Sequence, residues 1–267
     1  MNEYNLKEIE RKRKKWNKRA NTYDKFYDTF RGAVENYIDW ELLNHYLPKS
    51  KNIEILDAAG GTGRISIPLA KSGYKSITLC DISPNMLEIV RQKKLKEGIH
   101  DNLRILECNV SDLHFEDDFF DFVLCWDGMV DKLVIKELIR VTKKEGLISI
   151  YLNNKWAFAF KNFFKNPNNI LKLIESKPNL IENQERSYKN FSIEEARIFF
   201  EKEGVKVLNI YAVCHWLRFL NIPEKILRAN HWNEEFFSQT VNMVRKLSEE
   251  PSVQGLSKHL VLYGQKM

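Results

Sequence analysis

Five short apolar runs punctuate the chain up to residue 152, at residues 53–58, 76–81, 103–108, 120–126 and 146–152. Stretches of helical periodicity lie between them at about 63–72, 84–97 and 131–142. Runs this short that stay apolar throughout are strands buried on both faces, as in a parallel sheet flanked by helices. The alternation therefore predicts an α/β fold. Local signals agree with it. Pro84 follows Ser83 as the first helical residue follows its N-cap. Lys143-Lys144-Glu145-Gly146 reads as a helix closing on basic residues before the fifth strand.

The first two strands carry the chemistry. Ile53-Glu54-Ile55-Leu56-Asp57-Ala58 runs into Ala59-Gly60-Gly61-Thr62-Gly63-Arg64, and the second strand ends on Asp81, 24 residues after Asp57. Glycines let a backbone approach a ligand closely, and the following helix offers unpaired N–H groups. An acid at the end of the second strand is placed to accept hydrogen bonds from a ribose diol. This combination predicts a nucleoside-binding site. A dinucleotide fingerprint would need a third glycine, but Gly61-Thr62-Gly63-Arg64-Ile65 is followed by Ser66. An NAD-dependent oxidoreductase is accordingly the least favoured reading.

The 267 residues suffice for one domain with elaborations, and 43% hydrophobic and 29% charged residues are ordinary for a globular protein. No run of 18 apolar residues occurs, and residues 1–19 are polar and basic without an apolar core. Neither a membrane span nor a secretory signal is expected, and a cytoplasmic location follows. Cys80, Cys108, Cys125 and Cys214 fit no metal-ligand spacing, so reduced thiols and no metal are expected. Residues 7–19 hold eight Lys/Arg against Glu8 and Glu10, a local excess equal to the whole chain's net charge of +6. A solvated helix is the plain reading of that segment. Contact with the phosphates of nucleic acid is the sharper one.

The glycine turn, the Asp81-Ile82-Ser83 strand end and Leu106-Glu107-Cys108-Asn109-Val110-Ser111-Asp112-Leu113 together resemble the S-adenosylmethionine (SAM) site of class I methyltransferases. Ala59 stands where that family's pattern has its first glycine, and Asn109 where it has an acid. The resemblance implies a three-layer Rossmann-like sheet, mostly parallel, whose last strand is antiparallel and inserts beside the fifth. It covers residues 53–152, and less closely 190–212 and 258–267. Residues 1–47 are expected to form an N-terminal helical lid on a domain spanning 48–267. Helical cap insertions are expected at about 154–190 and 214–257. Ser192 and Glu195 open a helix with a capping-box pattern.

By the same resemblance, Asp57 would hold the glycine turn near the cofactor's amino group, with Ala59, Gly60, Gly61 and Gly63 forming the turn itself. Asp81 would take the ribose hydroxyls and Ile82 the adenine face. Asn109, or Asp112 if the alignment slips, would meet the adenine amino group, with Val110 supplying a backbone N–H. Cys125 and Trp126 would line the transfer pocket, and Tyr23 would close the lid. Cys125-Trp126-Asp127-Gly128 lacks the Asn-Pro-Pro-aromatic motif of the enzymes that methylate exocyclic amines of nucleic-acid bases. His215 and His231, each followed by tryptophan, are the candidate general bases.

The expected activity is transfer of a methyl group from SAM, leaving S-adenosylhomocysteine (SAH), to an O, N or S atom of a small-molecule acceptor. Methylation of RNA or protein docked by the basic segment is the alternative, with nucleic acid not favoured. A SAM-binding module without catalysis is the third. Oligomeric state is not legible.

Overall fold

The computed structural model describes residues 3–126, 130–175, 190–213 and 223–267. Its strands are β1 (Glu54–Ala58), β2 (Ser76–Asp81), β3 (Leu103–Glu107), β4 (Phe120–Cys125), β5 (Thr142–Asn154), β6 (Asn190–Phe191), β7 (Val205–Ala212) and β8 (His259–Lys266). One sheet contains them in the order β3-β2-β1-β4-β5-β8-β7, with β6 paired to the end of β5. The pairs among β1 to β5 are parallel, whereas β8 runs antiparallel to both β5 and β7. The antiparallel last strand beside the fifth, expected from the family resemblance, is therefore present.

Alternate side chains of a strand face opposite sides of a sheet, and each side here has its own core. On one side Leu56, Val123, Cys125 and Ile150 pack with α5 (Lys132–Val141) and α8 (Ile193–Lys202). On the other, Ile55, Phe122, Leu124 and Tyr151 pack with α3 (Ser66–Lys71), α4 (Pro84–Lys96) and Leu43 of α2 (Phe30–Tyr46). A third cluster joins α2 to α9 (Glu224–Leu227) and α10 (Glu234–Leu247) through Phe30, Val34, Ile38, Leu227 and Val241.

Residues 3–23 form one helix, α1 (Glu3–Tyr23), which a short 3-10 turn at Asp24–Phe26 joins to the start of α2. The plain reading of the basic segment thus has the right conformation but the wrong environment, because α1 packs along α4 and is not a freely solvated rod. After β5 come α6 (Lys155–Asn162) and α7 (Pro167–Glu175), while α11 (Pro251–Leu256) precedes β8. β5 begins at Thr142, four residues before the expected start, and the register against β4 slips between Phe120 and Phe122. Glu145, at φ +62°, accommodates that bulge in the Lys-Lys-Glu-Gly step.

The capping box is built as expected. Ser192 Oγ accepts the Glu195 N–H at 3.1 Å, and the Ser192 N–H donates to Glu195 Oε2 at 2.8 Å. Glu195 Oε1 also receives Lys155 Nζ at 2.7 Å, tying α8 to the start of α6 through an ion pair with both side chains 4% exposed. Among the described residues no helix is long and apolar enough to cross a membrane. Among the described residues Cys80, Cys108 and Cys125 form no disulfide, and no group could ligate a metal.

Candidate nucleoside cofactor site

β1 delivers its chain into the glycine turn at the carboxyl edge of the sheet, beside the end of β2. Three residues of the turn lie in the left-handed region: Ala59 at φ +57°, Gly61 at +56° and Gly63 at +77°. Two of those positions have the residue that tolerates this conformation. Ala59 takes it at a cost of about 1–2 kcal/mol. Gly60 is required for a different reason, since a Cβ there would stand 2.8 Å from Asp57 Cγ and from Leu79 Cγ.

Asp57 supports the turn from beneath. Its buried carboxylate accepts the Ser66 hydroxyl at 2.5 Å, linking the end of β1 to the first residue of α3. Burial pushes its pKa up, against the opposing hydrogen bond from Ser66 and the charge of Arg64. Asp57, Gly60 and Gly63 are absent from the walls of the cavity above, so their part in the site is to shape the turn.

That cavity has a volume of about 700 Å³ counting its open mouth, and Ala59, Gly61, Asp81, Ile82, Asn109, Val110, Cys125, Trp126 and Tyr23 all line it. Nine of the twelve residues expected to meet a cofactor are thereby brought to one wall. Asp81 is 7% exposed, with Oδ2 accepting the Gly61 N–H at 3.0 Å and Oδ1 the Ser83 N–H at 2.8 Å. Those two bonds fix the carboxyl plane and leave further lone pairs free for hydroxyl donors. Burial raises its pKa to about 6, opposed by the bonds from Ser83 and Gly61.

At the far side, Asn109 closes a turn: Oδ1 accepts the Ser111 N–H at 3.2 Å and its carbonyl the Asp112 N–H at 2.9 Å. Asn109 is therefore the residue at the wall, and the alternative, Asp112, is exposed outside it. Trp126 is held edge and face, with Nε1 donating to Ser149 Oγ at 2.9 Å and its ring stacked on Tyr151 at 5.0 Å.

The mouth is crossed by α1. Asn17 Oδ1 accepts the Ser83 hydroxyl at 2.7 Å and the Asn85 N–H at 3.3 Å, docking α1 on the N-terminus of α4. Asp24 pins the end of this segment to the glycine turn, accepting the Thr62 hydroxyl at 2.6 Å and pairing with Lys93 at 2.8 Å. Tyr23 meets Trp16 and Tyr27 edge-on, at 6.1 and 6.0 Å between ring centroids. It is both wall and packing residue.

Lys12, Trp16, Met86, Cys108, Val130 and Val134 also line the cavity, and none was picked from the sequence. Lys12, Trp16 and Tyr23 are spaced four and seven apart, one face of a helix. That spacing was the available signal. His231 is exposed between α9 and α10, away from the cavity, while its neighbour Trp232 packs on Phe30 and Phe237. His215, Asp127 and Gly128 lie outside the described residues.

Behind Trp126 lies a polar cluster that the sequence reading did not foresee. Arg64 Nη1 donates to Asp39 Oδ2 at 2.9 Å and to Asn36 Oδ1 at 3.1 Å, and Asp39 Oδ1 accepts the Tyr151 hydroxyl. The guanidinium lies over the rings of Tyr27 (4.7 Å) and Trp126 (5.5 Å). Burial lifts the Asp39 pKa to about 6, with Arg64 pulling it down and Glu35 pushing it up.

Comparison with known proteins agrees with this architecture. A family model described as a methyltransferase domain matches residues 55–146. Among curated relatives, the tRNA 5-carboxymethoxyuridine methyltransferase of Escherichia coli (strain K12) is 29% identical over 145 residues, 51% of this chain and 54% of that protein. A ubiquinone/menaquinone biosynthesis C-methyltransferase of Zymomonas mobilis is 32% identical over 152 residues, 55% of this chain and 61% of that protein. The chain thus spans 54–61% of the length of these relatives. Geranyl diphosphate methyltransferase in complex with SAM superposes with a TM-score of 0.56 at 13% identity, covering 87% of this chain and 85% of that one. Magnesium protoporphyrin IX methyltransferase from Synechocystis with bound SAH gives 0.53 at 15%, covering 96% and 98%. The matched domain, the sheet order and the acid-and-glycine cavity agree: residues 55–146 match a methyltransferase domain, and the chain has the Rossmann-like fold of the class I, SAM-dependent methyltransferases.

Proposed function

We propose that this protein is an enzyme that transfers a methyl group from SAM to an O, N or S atom of a small-molecule acceptor in the cytoplasm. One observation carries the cofactor half of that reading. Asp81, oriented by two backbone N–H groups, lines a cavity whose mouth α1 crosses. Bound SAM supplies an electrophilic sulfonium methyl. Asp81 would accept hydrogen bonds from the ribose hydroxyls, Ile82 and Met86 would cover the adenine face, and Asn109 with Val110 would meet the adenine edge. Trp126 and Tyr23 would exclude water from the reacting side. Alignment and dryness supply much of the acceleration such a displacement needs, so the reading does not depend on a histidine base.

A second reading, methylation of RNA, is favoured by the position of α1. The helix that crosses the mouth carries the basic excess, and its Lys14, Lys18 and Arg19 are exposed. A relative whose name specifies tRNA supports it as well. Binding of RNA through that helix would weaken steeply with salt.

The test is transfer of labelled methyl from SAM into a cell extract separated into small-molecule, RNA and protein fractions. Label among small molecules supports the first reading, and label in RNA replaces it with the second. Tight SAH binding with no label in any fraction would leave a cofactor-binding module without catalysis.

A further inference from the structure

The Arg64 guanidinium has its Nε–Nη2 edge unused. Nη1 makes both of its hydrogen bonds, to Asn36 and Asp39, and Nε and Nη2 make none among the described residues. The side chain is 13% exposed, yet neither nitrogen is sealed off without a partner. The Nε–Nη2 edge is one of the forks by which arginine takes a carboxylate with two parallel bonds. Everything around it fixes that fork. Asp39 holds the opposite corner and is itself held by Tyr151. The guanidinium lies over the rings of Tyr27 and Trp126, and Trp126 cannot swing because Ser149 holds its indole N–H and Tyr151 backs its ring. Trp126 and Tyr23, whose ring meets Tyr27, are also walls of the cavity. A preorganised cation with a free bidentate edge thus stands beside the chamber in which methyl transfer is proposed.

We infer that the Nε–Nη2 edge of Arg64 is a carboxylate-binding site serving that chamber. The inference rests on the cofactor reading given above. Two molecules could bring the carboxylate: the cofactor, through its amino-acid end, or an acidic acceptor anchored beside the sulfonium. Asp39 and Asp57 both feel the charge of Arg64, and Glu35 lies near Asp39. They offset its positive charge, so recognition depends on the fork's geometry more than on net charge.

The experiment compares the wild type with Arg64→Lys, which keeps the charge and loses the fork. It also uses Arg64→Gln/Asp39→Asn, which avoids stranding a buried carboxylate should the single variant fold poorly. Each is titrated calorimetrically with SAH and with 5′-methylthioadenosine, which has the nucleoside and thioether but no carboxylate. Each is then loaded with SAH and mixed with 4-fluorobenzoate or its uncharged amide, followed by fluorine NMR line broadening. A ten-fold or greater loss of SAH affinity in both variants, with 5′-methylthioadenosine unchanged, identifies the carboxylate as the cofactor's own. Unchanged SAH affinity with loss of a benzoate-specific broadening seen in the wild type identifies it as the acceptor's. SAH affinity and fluorobenzoate response both unaffected by the substitutions would overturn the inference. Failure of the wild type to bind either nucleoside would instead sink the methyltransferase reading, while the fluorobenzoate comparison, repeated without SAH, would still report on Arg64.

Discussion

Asp81 offers a perturbation whose size can be worked from the structure. Its carboxylate is oriented by Gly61 and Ser83, is almost wholly buried, and has a pKa of about 6. Ribose hydroxyls donate to an ionised carboxylate, so SAH should select that form. In the unliganded protein the group is mostly protonated at pH 5 and mostly ionised above pH 7. Linkage then makes SAH binding about ten-fold weaker at pH 5.0 than at pH 7.5. Asp81→Asn keeps the shape and one acceptor oxygen but loses the charge. Losing a charge-assisted pair of bonds should cost about 1.5–3 kcal/mol, or roughly 10- to 150-fold in affinity. The variant should also lose Asp81's share of the pH dependence, which separates it from Asp39 titrating in the same range. On stability the sign reverses. The folded pKa lies above the unfolded one, so the unliganded native state binds the extra proton. This group's contribution to stability therefore falls, by about 3 kcal/mol, as pH rises from below 4 through 6. Calorimetric titration with SAH at both pH values, for both proteins, is the assay. Equal affinity of the variant and the wild type at pH 7.5, or a pH dependence as large in the variant as in the wild type, would refute the placement of Asp81 under the ribose.

Three further outcomes are expected. Gly60→Ala should destabilise by about 2 kcal/mol or more, because its Cβ meets Asp57 and Leu79 at 2.8 Å; Ala59→Gly, which relieves a left-handed alanine, should not destabilise, and urea unfolding of the two variants tests the contrast. Lys155→Met leaves the Glu195 carboxylate buried and unpaired and should cost about 3–5 kcal/mol; thermal unfolding should show part of that loss recovered in Lys155→Met/Glu195→Gln. Asn17→Ala removes the bonds that dock α1 on Ser83 and Asn85, so amide exchange across residues 3–23 should quicken and SAH should dissociate faster, with the fold's melting temperature nearly unchanged.

The parallel half of the sheet was legible because its strands are short, apolar and punctuated by glycine, proline and capping residues. Nothing but a doubly covered sheet accommodates such runs. The glycine turn and Asp81 were legible for the same reason: backbone chemistry at a strand end depends on few residue types. The roles within the turn were less so. Asp57, Gly60 and Gly63 proved to be internal supports, which only the third dimension distinguishes from a wall residue such as Gly61. The docking of α1 was hidden because the residues that achieve it, Asn17 and Asp24, are ordinary polar residues in a segment dominated by lysine and arginine. The cluster of Arg64, Asp39 and Tyr151 was hidden by distance along the chain. Three residues from three elements carry no local pattern, and each alone reads as a surface charge or a core aromatic.

The position of β8 has a consequence for how this chain comes to be folded as it is made. Among the described residues β7 has β8 as its only neighbour in the sheet, and β8 also borders β5. Residues 213–258 must therefore be synthesised between β7 and the strand that will receive it. Until then β5 exposes an unpaired edge beyond its short pairing with β6, and β7 waits beside the ribosome with nothing to pair with. The nucleotide-site half, β1 to β4, has all of its pairings available early. The nascent protein should consequently pass through a stage in which the half that carries most of the cavity wall is formed while the edge of β5 still awaits β8.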